Sequence, residues 1–400
     1  MIAARKPLTA AIAAAAGLVL IAGSIAQHPI AHADTSTSVT PSTGPITNVS
    51  ISIDSCGGDW TNPQPGQQTF VLHSEDNDDA EVFLTDPTSS AIYGLVEPLT
   101  PNASANLSIY LGSGNYQFRC AWDEKGFTAG PVVTVPGNVK APVPAVKAVT
   151  LPELIKPVVK YKTYVAGKLP TLQKQVKTLR RDITSNSRTK ARKAWLAAHL
   201  TYETLGAAYG LFGDLDGAIN GTTAGLPKGV KDKGFTGFHR LEYGLWHGQS
   251  LTSLKPAAKR LAADVDQLTA TATAGNIDPL ELTIRAHEIT ENALQFELTG
   301  ETNYGSGSNL ATISANLAGT KVVLDLLKPV LTSRYPKLKS AYNWLATARL
   351  DIAHDKSKGR YRSLASLSLH RREVLNTDLS ELTELLAPVA AIAEPRATHD

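Results

Sequence analysis

The sequence predicts two domains of different texture, an N-terminal β-sandwich followed by an all-α helical bundle. Three observations predict it. Short runs of alternating apolar and polar residues, cut by turn signals, occupy residues 46–135. From about residue 153 onward, apolar positions recur at three- and four-residue steps. Between them, residues 136–157 are rich in Pro, Ala, Val and Lys with no clear period, as a spacer would be. A chain of 400 residues is long enough for both parts to bury real cores.

In the first part, Val49-Ser-Ile51-Ser-Ile53, Leu107-Ser-Ile109-Tyr-Leu111 and Tyr116-Gln-Phe118-Arg-Cys120 alternate cleanly. Thr69-Phe70-Val71-Leu72-His73 alternates less cleanly, and Pro131-Val-Val-Thr-Val135 closes the set. Asn62-Pro63, Pro65-Gly66, Asp86-Pro87 and Gly112-Ser-Gly114-Asn115 supply the turns. Strands this short at this spacing predict a small antiparallel sandwich. The expected divisions are a leader over 1–33, a flexible segment over 34–45, the sandwich over 46–136, a linker over 137–152, the bundle over 153–392 and a tail over 393–400.

The leader is expected because Arg5 and Lys6 precede an apolar run over residues 8–26, and Ala31-His32-Ala33 offers a small-x-small cleavage signal before Asp34. The chain is therefore expected to be exported to a periplasm or cell surface. No cysteine stands at the cleavage point, so a lipoprotein is not expected. Beyond the leader, no stretch of about 20 apolar residues reads as a membrane span. Cleavage removes Arg5 and Lys6 and no acid, taking the net charge from +3 to +1. So little charge argues against a nucleic-acid partner, which needs a basic stripe.

Cys56 and Cys120 both lie in the β half. In an oxidising compartment they predict a disulfide; the alternative is a copper or iron site made with Glu81, Glu97 or Asp123. A blue-copper site is not expected. It needs two His, one Cys and usually an axial Met, but the only Met is Met1 and His73 is the only histidine of this half.

In the second part, Leu172, Val176, Leu179 and Ile183 mark one helix, and further helical runs cover residues 191–209, 254–269, 279–298, 310–331, 338–352 and 361–391. A Gly- and Pro-containing insert over 210–237 interrupts them; long irregular inserts between helices are usually functional.

This half concentrates potential metal ligands. His239 and Glu242 are three residues apart, His199 and Glu203 four, His287 and Glu291 four, and Glu288 and Glu291 three. On a helix such spacings place both groups on one face, so three helices can each present a His/carboxylate pair to a common interior. One such pair alone is more often a surface ion pair or a satisfied buried histidine. The clustering and the apolar company favour ligands here. Trp195, Leu196 and Leu200 precede Glu203, and Phe238, Leu241, Tyr243, Leu245 and Trp246 surround His239 and Glu242. Carboxylates on such faces need a partner, and a cation is the simplest one. Mixed N/O ligands suit iron, zinc or manganese. The insert adds Asp214, Asp216 and Asp232, as ligands or as turn formers. His287-Glu288-Ile289-Thr290-Glu291 resembles the HExxH pattern with Glu at the last position, but nothing marks a hydrolytic water or an oxyanion site.

Longer strings carry a family resemblance. Ala191-Arg-Lys-Ala-Trp195-Leu-Ala-Ala-His199-Leu-Thr-Tyr-Glu203, Gly206-Ala-Ala-Tyr-Gly-Leu-Phe-Gly-Asp214 and Phe235-Thr-Gly-Phe-His-Arg-Leu-Glu-Tyr-Gly-Leu-Trp-His247-Gly248 are similar to the imelysin-like domain of EfeO-type proteins. Arg285-Ala-His-Glu288, Glu291-Asn-Ala-Leu-Gln-Phe-Glu-Leu-Thr-Gly300 and Tyr304-Gly-Ser-Gly307 extend the match over about residues 150–392. Gly237-x-His239-x-x-Glu242 matches the GxHxxE motif of that family. The resemblance implies a helical double bundle that captures iron, ferrous or ferric, outside the cell, with zinc as the alternative metal. It implies His239 and Glu242 as ligands, joined by Glu203 and an insert Asp, Asp214 or Asp232. His199, His287, Glu288 and Glu291 would support that site or form a second one. Implied partners are a membrane iron permease and a secreted haem peroxidase. The β half resembles the cupredoxin-like domain of the longer EfeO proteins. The expected function is a non-enzymatic iron-binding component of an iron-uptake system. Its rivals are an imelysin-like metallopeptidase and a binder whose β half oxidises ferrous iron through copper held by Cys56 and Cys120.

Overall fold

The computed structural model describes residues 44–122, 126–142, 144–272 and 274–393. The expected leader, Asp123 and nearly all of the expected tail lie outside the described residues. Nine strands come first: β1 (Ile46–Ser52), β2 (Ser55–Cys56), β3 (Gly66–Ser74), β4 (Ala80–Thr85), β5 (Ala91–Leu99), β6 (Ser104–Leu111), β7 (Gly114–Trp122), β8 (Gly126–Val135) and β9 (Val146–Lys147). They form two sheets, ordered β2-β1-β3-β6 and β8-β7-β4-β5-β9. Inward positions at period two, among them Val49, Ile51, Phe70 and Leu72 on one sheet and Val82, Leu84 and Phe118 on the other, are buried to 2% exposure or less. Trp60 closes the interior edge-on to Phe70 and Phe118, at ring-centroid distances of 4.9 and 5.8 Å.

The sandwich is not purely antiparallel as expected. β1 runs parallel to β3, with Ile46 opposite Thr69 through Ile51 opposite Ser74. Residues 53–65 carry the chain back to the start of the sheet, the crossover a parallel pair requires. Cys56 on β2 and Cys120 on β7 are joined in a disulfide that staples one sheet to the other. Neither sulfur is left as a thiolate, which overturns the copper-site alternative for this pair. Glu81 is on the opposite face of its sheet from Cys120, because Cys120 pairs with Val82. Glu97 is exposed on β5.

The stretch that reads as a spacer is structured over its second half. β9 pairs antiparallel with β5. The first helix, α1 (Leu151–Thr184), already starts at Leu151 and runs through Pro157 and Pro170. Thr150 N–H donates to Glu153 Oε2 at 2.9 Å, Pro152 occupies the first turn, and Leu154, Pro157 and Tyr161 are buried. Tertiary burial outweighs the cost of the internal prolines. Arg334, 6% exposed, clasps this junction. Its Nε donates to Lys147 O at 2.7 Å, and Nη2 to Ala148 O at 3.1 Å and Glu153 Oε1 at 2.9 Å.

The remaining helices are α2 (Arg188–Glu203), α3 (Tyr209–Phe212), α4 (Asp214–Asn220), α5 (Gly237–Trp246), α6 (Leu251–Ala272), α7 (Pro279–Asn292), α8 (Asn309–Leu331), α9 (Leu338–His354) and α10 (Leu369–Ile392). They share one apolar core that reaches from Leu154 to Val389. By length and composition α8 could cross a membrane, which the sequence reading did not allow for. In the fold it is mostly buried and packs against α1, α2, α7 and α9, the mark of a core helix.

The Cys56–Cys120 bond spans 64 residues of chain. Its reduction is expected to destabilise the β half by about 2–4 kcal/mol. A lower melting temperature of the sheet circular-dichroism signal in dithiothreitol checks this; an unchanged melt refutes it.

Candidate metal site

α5 starts where only glycine fits. Gly237 has φ +73°, and a Cβ there would stand 2.1 Å from the carbonyl oxygen of Ile219 in α4. That close seat turns His239 and Glu242 inward, where they are 3% and 1% exposed. Glu242 Oε1 accepts from Tyr304 N at 3.1 Å, Ser306 N at 2.9 Å and Ser306 Oγ at 2.6 Å. Its Oε2 lies 3.3 Å from His239 Nδ1. Burial pushes this carboxyl up, but the contacts with His239 and Ser306 outweigh it and hold it below the usual range. Glu242 is thus engaged on both oxygens, orienting His239 and pinning the 304–306 loop. With Nδ1 facing a carboxylate, Nε2 is the His239 nitrogen left for a cation.

Glu203, at the end of α2, is the second buried carboxylate. Oε1 accepts from Asn220 Nδ2 at 2.8 Å, and Oε2 from Asn316 Nδ2 at 2.7 Å and the Tyr209 hydroxyl at 3.4 Å. Burial would raise its carboxyl; His199, Asn316 and Asn220 together hold it at about 2. His199 is 2% exposed, lies over Trp195 at 4.8 Å and meets the His239 ring at 5.4 Å. Its Nε2 comes within 3.0 Å of Glu203 Oε1, yet off the axis of a hydrogen bond, and neither ring nitrogen is hydrogen-bonded among the described residues. Leaving a buried polar atom so costs about 1–3 kcal/mol.

The third carboxylate, Glu297, lies in a π-turn over Ala293–Glu297 that continues α7, closed by Leu298 N–H to Ala293 O at 2.9 Å. Such turns recur at functional sites. Thr302 Oγ1 donates to Glu297 Oε1 at 2.6 Å and Asn309 Nδ2 to Oε2 at 2.9 Å. Burial, then the charge of Glu203, pushes this carboxyl up to about 7.

Glu203, His239 and Glu297 line one cavity of about 120 Å³, with Tyr209, Asn220, Arg285, Thr302 and Asn316 around them. Arg285 lies 5.1 Å over the Tyr209 ring, fixed by Gly206 O at 2.9 Å and Glu288 Oε2 at 2.7 Å. One imidazole and two carboxylates form a donor set that suits a hard or borderline cation, and the unbonded His199 stands behind them. Among the described residues no three His, Cys, Asp or Glu side chains yet stand as a ready-made ligand group. A cation would be met only if these side chains close inward.

Other expected ligands are elsewhere. Asp214 is exposed at the first turn of α4. Asp232 accepts from Gly234 N at 2.8 Å and Lys228 N at 3.3 Å, a turn former. The insert aspartate that reaches this neighbourhood is Asp216, which accepts from the Tyr202 hydroxyl and is raised by burial to about 6. His287 and Glu291 lie 3.9 Å apart with side chains 26% and 42% exposed, and Glu288 is paired to Arg285. They form no second buried cluster. Sequence reading missed Glu297, Asn220 and Asn316. For Asn316 a signal existed: Asn309, Thr312, Asn316 and Thr320 make a buried polar stripe at helical spacing on the otherwise apolar α8. For Glu297 there was none, since a π-turn shifts helical phase.

The imelysin family model, which carries a peptidase label, matches residues 158–386. The chain belongs to the imelysin family. It is 26% identical over 253 residues to the iron uptake system component EfeM of Pseudomonas syringae pv. syringae, a match covering 63% of this chain and 89% of the relative. It is 26% identical over 302 residues to the iron uptake system component EfeO of Yersinia pestis, covering 74% and 78%. The EfeO of Escherichia coli is 25% identical over 298 residues, with the same coverage. Glu203, His239 and Glu297 all lie within the residues this family model matches.

The raised carboxyl of Glu297 has a sign that can be checked. Between its ordinary value of 4.5 and about 7, the folded protein keeps a proton that the unfolded chain has released. Stability therefore falls as pH rises through that window, and the penalty stays in full above it. Glu297→Gln is expected to stabilise the metal-free protein at pH 8, by at most on the order of 3 kcal/mol, and to change little near pH 4.5. Urea unfolding of both proteins at the two pH values tests this.

Proposed function

We propose that this imelysin protein is the iron-binding component of an iron-uptake system, and that iron is its cargo rather than a resident cofactor. The observation that carries the reading is the meeting of Glu203, His239 and Glu297 at one cavity. The names of the relatives support it. In this reading His239 Nε2 and the Glu203 and Glu297 carboxylates close on the ion. Glu242 keeps the His239 ring in its tautomer, and Asn220 and Asn316 hold Glu203 in place. The sequence supports export through the N-terminal leader, and the resemblance to EfeO-type proteins implies delivery to a membrane permease alongside a secreted haem peroxidase.

The family's peptidase label favours a second reading, a metal-dependent hydrolase. Its natural base would be Glu242, but that carboxylate already holds three donors on one oxygen and His239 on the other, so it is poorly placed to take a proton from water.

Calorimetric titration with ferrous, ferric and zinc ions near neutral pH tests both. His239→Ala is expected to weaken iron binding at least about tenfold, the loss of one ligand, in a protein that circular dichroism shows is still folded. Undiminished binding in that variant would overturn the site. Metal-dependent peptide cleavage abolished by Glu242→Gln would replace the carrier reading by the hydrolase.

A further inference from the structure

α1 carries a second apolar face that the fold does not use. Its inward side, Leu154, Tyr161, Val165, Leu169 and Leu172, is essentially fully buried and satisfies the core. Leu151, Ile155 and Val159 stand on the outward side, 52%, 53% and 57% exposed. Their spacing of four places them in one stripe, about 12 Å long. Large apolar side chains grouped in solvent mark an interaction surface.

The charge around the stripe says what fits it. α1 holds eight Lys and Arg and two acids, Glu153 and Asp182. Both acids are committed, Glu153 to Arg334 and Asp182 to Arg181. Lys156 and Lys160 are exposed beside the stripe, and neither has an acidic partner among the described residues. Further along the same outward side, Lys174 and Lys177 continue the positive charge, Lys177 being partly offset by Asp266 at 3.3 Å. A soluble polyanion would satisfy the lysines and gain nothing from Leu151, Ile155 and Val159. A neutral apolar partner would leave the lysines unused. A bilayer carrying anionic lipid matches both, with the apolar side chains entering the acyl boundary and the lysine stems extending to the headgroups.

We propose that the outward face of α1 docks the protein on an anionic lipid surface through Leu151, Ile155 and Val159, with Lys156 and Lys160 on the headgroups. This goes beyond the iron-binding reading and stands apart from the cavity, so it survives or fails independently.

The test is co-sedimentation of the chain, processed at its expected leader site, with vesicles. One set holds phosphatidylglycerol and phosphatidylcholine in equal parts, the other phosphatidylcholine alone. The protein is expected to pellet with the anionic vesicles only and to be released by about 0.5 M salt. The triple change Leu151→Asp, Ile155→Asp and Val159→Asp should reduce partitioning about tenfold or more, as should Lys156→Glu with Lys160→Glu. Leu350→Asp, at a 62% exposed leucine on α9, should leave it unchanged. All substituted positions are solvent-facing, and matching circular-dichroism melts verify that each variant folds. Pelleting with neither vesicle, equal pelleting with both, or undiminished pelleting of the triple variant overturns the proposal.

Discussion

Keeping the Glu203 carboxylate dry organises the helical half. A buried anion with an unmet lone pair costs several kcal/mol, so its partners must arrive together. They come from different places: Asn220 from the insert, Asn316 from the central helix, Tyr209 from the short helix after α2, and His199 from α2 itself. Glu242 repeats the device one layer away, drawing the 304–306 loop onto α5. The Tyr304 hydroxyl then ties that loop to Thr223 N of the insert at 2.8 Å, so both irregular segments are held by the anions they serve. The insert is accordingly irregular without being loose. It is the part of the chain that satisfies charge.

This logic also explains what could be read in advance. The helices were legible because their apolar positions repeat at helical spacing, and the two-domain division because that period replaces alternation near residue 150. Strand direction was not, since alternation is identical in a parallel and an antiparallel partner; only the crossover over 53–65 decides it. In the site, spacing picked out His/Glu pairs but could not rank them. His199–Glu203 and His287–Glu291 have the same separation, yet the first pair is buried and the second lies on the surface. Packing against Trp195 and Phe238 makes the difference, and Phe238 comes from a separate helix, 39 residues on in sequence. Asp232 is spent on a turn, and Asp214 faces solvent at the start of α4.

The β half uses its only two cysteines for architecture. Their bond joins two sheets whose shared core is small, and the exposed His73 is hydrogen-bonded to Ser104 Oγ at 2.9 Å rather than turned toward the sulfurs. Arg334 passes the rigidity on, holding carbonyls of the inter-domain segment and the first turn of α1 with one side chain. The junction is thereby part of the bundle's own hydrogen-bonding.

The π-turn at Ala293–Glu297 has an evolutionary consequence. Because it holds one residue more than an α-turn, the direction of the Glu297 side chain is set by chain length as well as by residue identity. Loss of one of the residues before Glu297 in that turn would let α7 run on as ordinary helix, with the core positions before it undisturbed. The glutamate would still be present in an alignment, but swung by about 100° away from the cavity. A lineage could therefore gain or lose this carboxylate by one-codon insertion or deletion, a change that residue-by-residue comparison of imelysin proteins would score as a trivial gap.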